Sequence, residues 1–247
     1  MNFPPRLPGA LTFAILFAAS IASAEAPVKK PPPKVLMIGD SLSVGPFGEY
    51  VAQYLIVRCG RNNFEQFASC GSSPENWLKS EPDYFTKCGF RENSPERQTV
   101  IDYQNGKRPP PIKTPKLEEL IARYRPTTVV VQLGTNWMDP LKANKPGAED
   151  KFSEILDRFA IALHTYTVRQ VIWITPPDAS AYSSEVKRIV DALIRNAAKK
   201  YNYQMVISGA LTHYVRGRSG GDGVHYNKDG AKLWADEATK ELDRKLR

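Results

Sequence analysis

The sequence predicts an α/β fold in which a parallel sheet is covered on both faces by helices. Three observations carry that prediction. Short apolar, often β-branched runs at 35–38, 128–133 and 171–174 read as buried strands. Amphipathic stretches of helical period alternate with them, which implies strand–helix–strand crossovers rather than hairpins. The residues best suited to chemistry fall just after strand ends, where ligand sites of such sheets lie.

The N-terminus stands apart from this fold. Arg6 precedes the apolar run Leu11-Thr12-Phe13-Ala14-Ile15-Leu16-Phe17-Ala18-Ala19, and Ala22-Ser23-Ala24 supplies a small-residue cleavage site. Residues 1–24 therefore read as a secretory signal peptide, with cleavage expected after Ala24 or Ala26. The run is too short and too rich in Ala and Ser to span about 30 Å of hydrocarbon as a permanent anchor. Residues 25–34 form a Pro- and Lys-rich tether with little to bury. Residues 35–247 suffice for one domain with a full core, and no later segment is apolar enough to cross a membrane. A periplasmic or secreted location is expected.

Within that domain, Val35-Leu36-Met37-Ile38 is the first strand and 47–57 a helix with Phe47, Val51, Tyr54 and Leu55 on one side. A second strand is expected at 64–68 and a helical turn at 74–78. Residues 80–115 are polar and interrupted by Pro109-Pro110-Pro111 and Pro115, so they read as an irregular surface insertion. A helix at 116–124 leads into Thr128-Val129-Val130-Val131-Gln132-Leu133, the strongest strand in the chain. Helix 148–166, strand 171–174, helix 183–201 and strand 204–207 follow. A Gly-rich turn at 219–223 precedes a last helix from 227 to about 245, with Asn227 as its N-cap.

Composition narrows the function classes. Of 247 residues, 42% are hydrophobic and 24% charged, as in ordinary globular proteins, and the formal net charge is +8. A basic exported chain favours anionic partners such as cell-envelope polymers or lipid head groups. The basic residues are dispersed, without the stripe interleaved with aromatics that nucleic-acid binding needs, so no nucleic-acid partner is expected. The three cysteines, Cys59, Cys70 and Cys88, lie close together. In an oxidising compartment one disulfide among them is expected, with one thiol left over. Their spacing fits no zinc pattern and no histidine lies among them, so no metal is expected.

With only three histidines in the chain, a histidine base can be sought by elimination. His164 sits in an amphipathic helical run, and His213 has no carboxylate near it in sequence. His225 follows the Gly-rich turn, three residues after Asp222, a spacing that can bring a carboxylate to Nδ1 of the ring. Ser41 lies between the first strand and a helix, where a hydroxyl is presented at the sheet edge and the helix N-terminus favours negative charge. Asp40 and Ser41 would serve equally well as plain helix caps. Gly71 could offer a backbone N–H to an oxyanion and Asn136 a side-chain N–H, although a turn and a cap would account for them too.

Taken in order, Gly39-Asp40-Ser41-Leu42, Gly71, Gly134-Thr135-Asn136 and Asp222-Gly223-Val224-His225 resemble the four blocks of the SGNH (GDSL) hydrolase superfamily. The resemblance runs from about residue 35 to 234. It implies a flavodoxin-like three-layer sandwich, with Ser41 as nucleophile, His225 as base and Asp222 orienting it. The N–H groups of Ser41 and Gly71 and the Asn136 side chain would form the oxyanion hole. Many members carry an acidic residue after the third-block asparagine, where this chain has Trp137.

The expected reaction is hydrolysis of an ester through an acyl-serine, with no metal or organic cofactor required. The expected substrate is a small acyl group, acetyl foremost, on an envelope or extracellular polysaccharide such as peptidoglycan, with Trp77, Trp137 and Tyr226 as candidate sugar platforms. The rival readings are a lysophospholipase or acyl-thioesterase with long-chain substrates, and a non-catalytic carbohydrate-binding domain.

Overall fold

The computed structural model describes Met1, residues 31–103 and residues 106–246. The signal peptide expected over 1–24 and most of the tether lie outside the described residues.

The β-branched runs do form strands, and the periodic stretches do form helices. In chain order the elements are β1 (Val35–Gly39), α1 (Ser41–Val44), α2 (Pro46–Cys59), β2 (Phe64–Ser69), β3 (Phe90–Asn93), β4 (Gln98–Ile101) and α3 (Leu117–Tyr124). Then come β5 (Thr128–Gln132), α4 (Met138–Lys142), α5 (Ala148–Leu163), β6 (Gln170–Ile174), α6 (Ser184–Tyr201), β7 (Gln204–Val206), α7 (Ser208–Leu211) and α8 (Lys228–Lys245). The seven strands lie in the order β4-β3-β2-β1-β5-β6-β7. From β2 to β7 every pairing is parallel.

Strand alternation divides the core into two layers. Leu36, Ile38, Val129, Val131 and Trp173 pack against α3, α5 and α6, while Val35, Met37, Val130, Ile172 and Ile174 pack against α2 and α8. Because both faces are covered, these strands read as continuous apolar runs rather than alternating ones. The chain moves from β1 to β2 on one side, then returns to lay β5 on the other side of β1. That reversal makes the C-terminal ends of β1 and β5 a topological switch point.

The insertion is a correction to the expectation from sequence. Residues 80–115, irregular by their sequence, contribute β3 and β4, which extend the sheet with β3 antiparallel to β2 and β4 antiparallel to β3. Phe90-Arg91-Glu92-Asn93 lacks an apolar alternation, so its strand character depends on pairing rather than pattern. Arg91 is buried there because its Nε donates to the Val44 carbonyl at 2.9 Å. Helix α5 ends at Leu163 instead of 166, with His164 as its C-cap. The short helices α4 and α7 carried no periodic signal. Asn227 caps α8 as expected, its side chain accepting from the Gly230 N–H.

Candidate active site

Ser41 is the first residue of α1, directly beyond β1. Asp40 is the N-cap, and its Oδ1 accepts the Leu42 N–H at 3.0 Å. The cap and the serine are thus adjacent rather than competing roles: Asp40 starts the helix, and Ser41 stands at its N-terminus. Asp40 is fully buried. Its Oδ2 makes no hydrogen bond of normal geometry, nor do the neighbouring Gln132 Nε2 and Thr135 Oγ1. Burial pushes the Asp40 carboxyl up to about 6, against the opposing influence of the Leu42 N–H, Thr135, Gln132 and the charge of His225.

His225 arrives from the far end of the chain. Asp222 Oδ1 accepts the N–H groups of Val224 and His225 at 2.9 and 2.8 Å, which closes the turn that opens α8. Its other oxygen, Oδ2, lies 2.6 Å from His225 Nδ1, and His225 Nε2 lies 2.9 Å from Ser41 Oγ. Three residues separated by up to 184 positions therefore form one hydrogen-bonded line. Burial raises the Asp222 carboxyl, but the His225 ring and the two backbone N–H groups outweigh it and hold it below the ordinary carboxylate range. A carboxylate kept ionised beside Nδ1 fixes the ring tautomer with Nε2 free to accept a proton from Ser41.

The other histidines are not so placed. His164 is exposed at the C-terminus of α5, which leads into the opposite end of the sheet. His213 does have a carboxylate nearby, contrary to its sequence context: Asp178 Oδ2 is 3.7 Å from its Nδ1. Among the described residues only His225 joins a carboxylate to a serine hydroxyl.

Gly71 and Asn136 lie on two different loops that are bonded to each other. Gly71 adopts φ +82°, and a Cβ there would stand 2.7 Å from the Tyr84 hydroxyl, so the position requires glycine. Asn136 Nδ2 donates to the Ser72 carbonyl at 2.8 Å, tying the turn after β5 to the loop after β2. Neither the Ser41 nor the Gly71 N–H is engaged by another described residue. Unengaged N–H groups at a helix N-terminus and in a tight loop are the donors that an oxyanion needs.

Two of the three candidate sugar platforms are overturned. Trp77 and Trp137 are 0% and 1% exposed. Trp77 Nε1 donates to Ser72 Oγ at 3.1 Å, and Trp137 Nε1 donates to Glu75 Oε2 at 3.0 Å while stacking on Phe152. Both brace the loop from beneath. Tyr226 is buried too, its hydroxyl donating to the Asp178 carbonyl, although it borders the cavity. That cavity, about 460 Å³, holds Ser41 and His225 and is walled by Phe47, Trp234 and the Cys70–Cys88 disulfide. Cys59 remains free and buried. Asp102 and the half-exposed Tyr103 form part of the rim, a contribution of the insertion that no sequence pattern marked.

The GDSL-like lipase/acylhydrolase family matches residues 35–238, most of the chain. The chain belongs to that family. As a GDSL hydrolase it is a serine ester hydrolase, and its mostly parallel sheet is the SGNH architecture. Solved structures of similar fold include a lipase/acylhydrolase from Enterococcus faecalis, with 16% identity, 87% of this chain and 97% of that one covered, and a TM-score of 0.53. A carbohydrate acetylesterase family member from Sinorhizobium meliloti aligns at 15% identity over 86% and 98% of the two chains, with a TM-score of 0.52. A peptidoglycan O-acetylesterase aligns at 10% identity over 87% and 92%, with a TM-score of 0.55. No curated protein matches the chain by sequence.

Proposed function

We propose that this GDSL hydrolase is exported and removes small acyl groups, acetyl foremost, from an envelope or extracellular polysaccharide such as peptidoglycan. Ser41 is the nucleophile, His225 the base and Asp222 the group that orients it. The Ser41 and Gly71 N–H groups and the Asn136 amide are the oxyanion donors. The observation that carries the reading is the line Ser41–His225–Asp222 standing open to solvent, with the His225 and Asp222 side chains 49% and 55% exposed. An ester on a bulky polymer can reach such a line, whereas one at the end of a deep tunnel would be out of reach. The net charge of +8 favours approach to an anionic polymer. A carbohydrate acetylesterase family member and a peptidoglycan O-acetylesterase share the fold.

In the reaction, Ser41 Oγ–H gives its proton to His225 Nε2 as Oγ attacks the ester carbonyl carbon. The carbonyl oxygen takes the negative charge and is held by the oxyanion donors. Collapse expels the sugar oxygen, which takes the proton from His225. Water, deprotonated by the same ring, then releases the acyl group as its acid and restores Ser41.

A second reading rests on the cavity. About 460 Å³ exceeds what an acetyl group fills, and Pro46 and the half-exposed Tyr103 on its lining would border a longer chain, as in a lysophospholipase or thioesterase. The deciding measurement is hydrolysis by the purified chain of O-acetylated peptidoglycan, p-nitrophenyl acetate and p-nitrophenyl decanoate. Acetyl release from the polymer with poor decanoate turnover supports the first reading, and the reverse order supports the second. Ser41→Ala is expected to abolish every one of these activities and fluorophosphonate labelling without unfolding the chain. Persistent turnover in that variant would refute the assignment of Ser41, and a wild-type chain inert to both assays would point to a non-catalytic binding domain.

A further inference from the structure

Asn136 and Trp77 hold the loop that carries Gly71 at Ser72, and the insertion holds it at Cys70. Cys70 is bonded to Cys88. The Cys70 carbonyl accepts the Lys87 N–H at 3.1 Å and the Tyr84 hydroxyl at 3.3 Å, and the Cys70 N–H donates to the Gly89 carbonyl at 2.9 Å. The strap that supplies these groups is itself fastened, with the Thr86 N–H donating to the Ile112 carbonyl at 2.9 Å and the Thr114 N–H to the Tyr84 carbonyl at 2.8 Å. Tyr84 also packs so closely over Gly71 that no Cβ fits between them. The loop is short, bends through a left-handed residue and has just left β2, so it has little regular structure of its own to hold it.

We propose that the Cys70–Cys88 disulfide and the Tyr84 hydroxyl are positioning groups for the oxyanion hole, so that turnover depends on the oxidised state of this pair. They touch neither the ester nor Ser41 Oγ. They act by fixing the Gly71 N–H relative to Ser41, where an error of an ångström weakens the donor at the moment charge develops. Opening the bond takes two electrons and two protons from a dithiol, which closes to its own cyclic disulfide. The inference rests on the proposed role of Gly71 and not on the identity of the acyl group.

The test uses the full chain carrying Cys59→Ala, so that no third thiol can exchange. Oxidised protein is compared with protein reduced by dithiothreitol, and with the Cys70→Ser/Cys88→Ser double variant. Saturating fluorophosphonate counts competent Ser41 sites, and p-nitrophenyl acetate gives kcat per competent site and KM. The expected result is an unchanged site count, a KM within about twofold and a kcat per site lower by about ten- to hundredfold. Tyr84→Phe, which leaves the disulfide in place, is expected to lower kcat per site several-fold in the same direction. An unchanged kcat per site in reduced protein would overturn the inference. So would a loss that appears wholly as missing sites, because that is the signature of unfolding. Oxidised protein that neither labels nor turns over would instead refute the proposed esterase reading on which the inference stands.

Discussion

Asp40 stands one residue from the proposed nucleophile with its carboxyl buried and one oxygen unpaired. In the unfolded chain it titrates near 3.8, and in the fold near 6, so the folded state holds the proton more tightly. Its contribution to stability is therefore fully present below 3.8 and is lost as pH rises through about 6. Asp40→Asn keeps an acceptor for the Leu42 N–H and removes the titration. Urea unfolding of both proteins between pH 4 and 7.5 should show the wild type losing roughly 2–3 kcal/mol relative to the variant as pH rises. Parallel curves would contradict this. At Asp222 the expected effect is kinetic. Asp222→Asn retains the shape of the turn but no longer holds His225 in the required tautomer, and kcat on p-nitrophenyl acetate should fall on the order of 10²–10⁴-fold with circular dichroism unchanged. Asn136→Ala removes a donor and frees the Ser72 carbonyl, for an expected loss of about 10²–10³ in kcat.

At the scale of elements, the four-residue α1 and the fourteen-residue α2 fold tightly on each other. Gly48 lets them meet: a Cβ at that position would lie 1.9 Å from the Ser43 carbonyl oxygen. Gly48→Ala must push the helices apart, at about 1–3 kcal/mol of stability, and must move the helix that begins at Ser41. A lower urea midpoint together with a lower kcat is the expected pair of readings, and an unchanged midpoint would show that the contact relaxes freely. Helix α2 also carries Phe47, which stacks on Trp234 of α8. That contact joins the helix following Ser41 to the helix following His225. The edge strands show the limit of pattern reading. Apolar alternation needs one buried and one wet face, and β4, with its alternately exposed residues Gln98, Thr99, Val100 and Ile101, has only a weak version of it.

For the whole molecule, sheet topology explains why the site is where it is. The return from β2 to β5 opens a gap at the C-terminal ends of β1 and β5, and Ser41 and Asn136 occupy its two sides. Export remains a proposal drawn from the N-terminal pattern. Sequencing of the mature protein should begin at Glu25 or Pro27, and a chain that begins at Met1 would refute it. The described residues contain no helix long and apolar enough to cross a membrane.

Local sequence was enough to determine the five parallel strands, the long helices, the caps at Asp40 and Asn227, and the candidacy of Ser41, Asp222 and His225. These features depend on neighbours within a few positions, where propensity and periodicity act. Asp222 and His225 were legible as a pair because a three-residue turn can bond them by itself. The approach of Ser41 to that pair, the pairing of Cys70 with Cys88 rather than Cys59, the burial of Trp77 and Trp137, and the insertion's two strands were decided by tertiary structure alone. Each depends on groups distant in sequence, and only the packed sheet sets which of them meet.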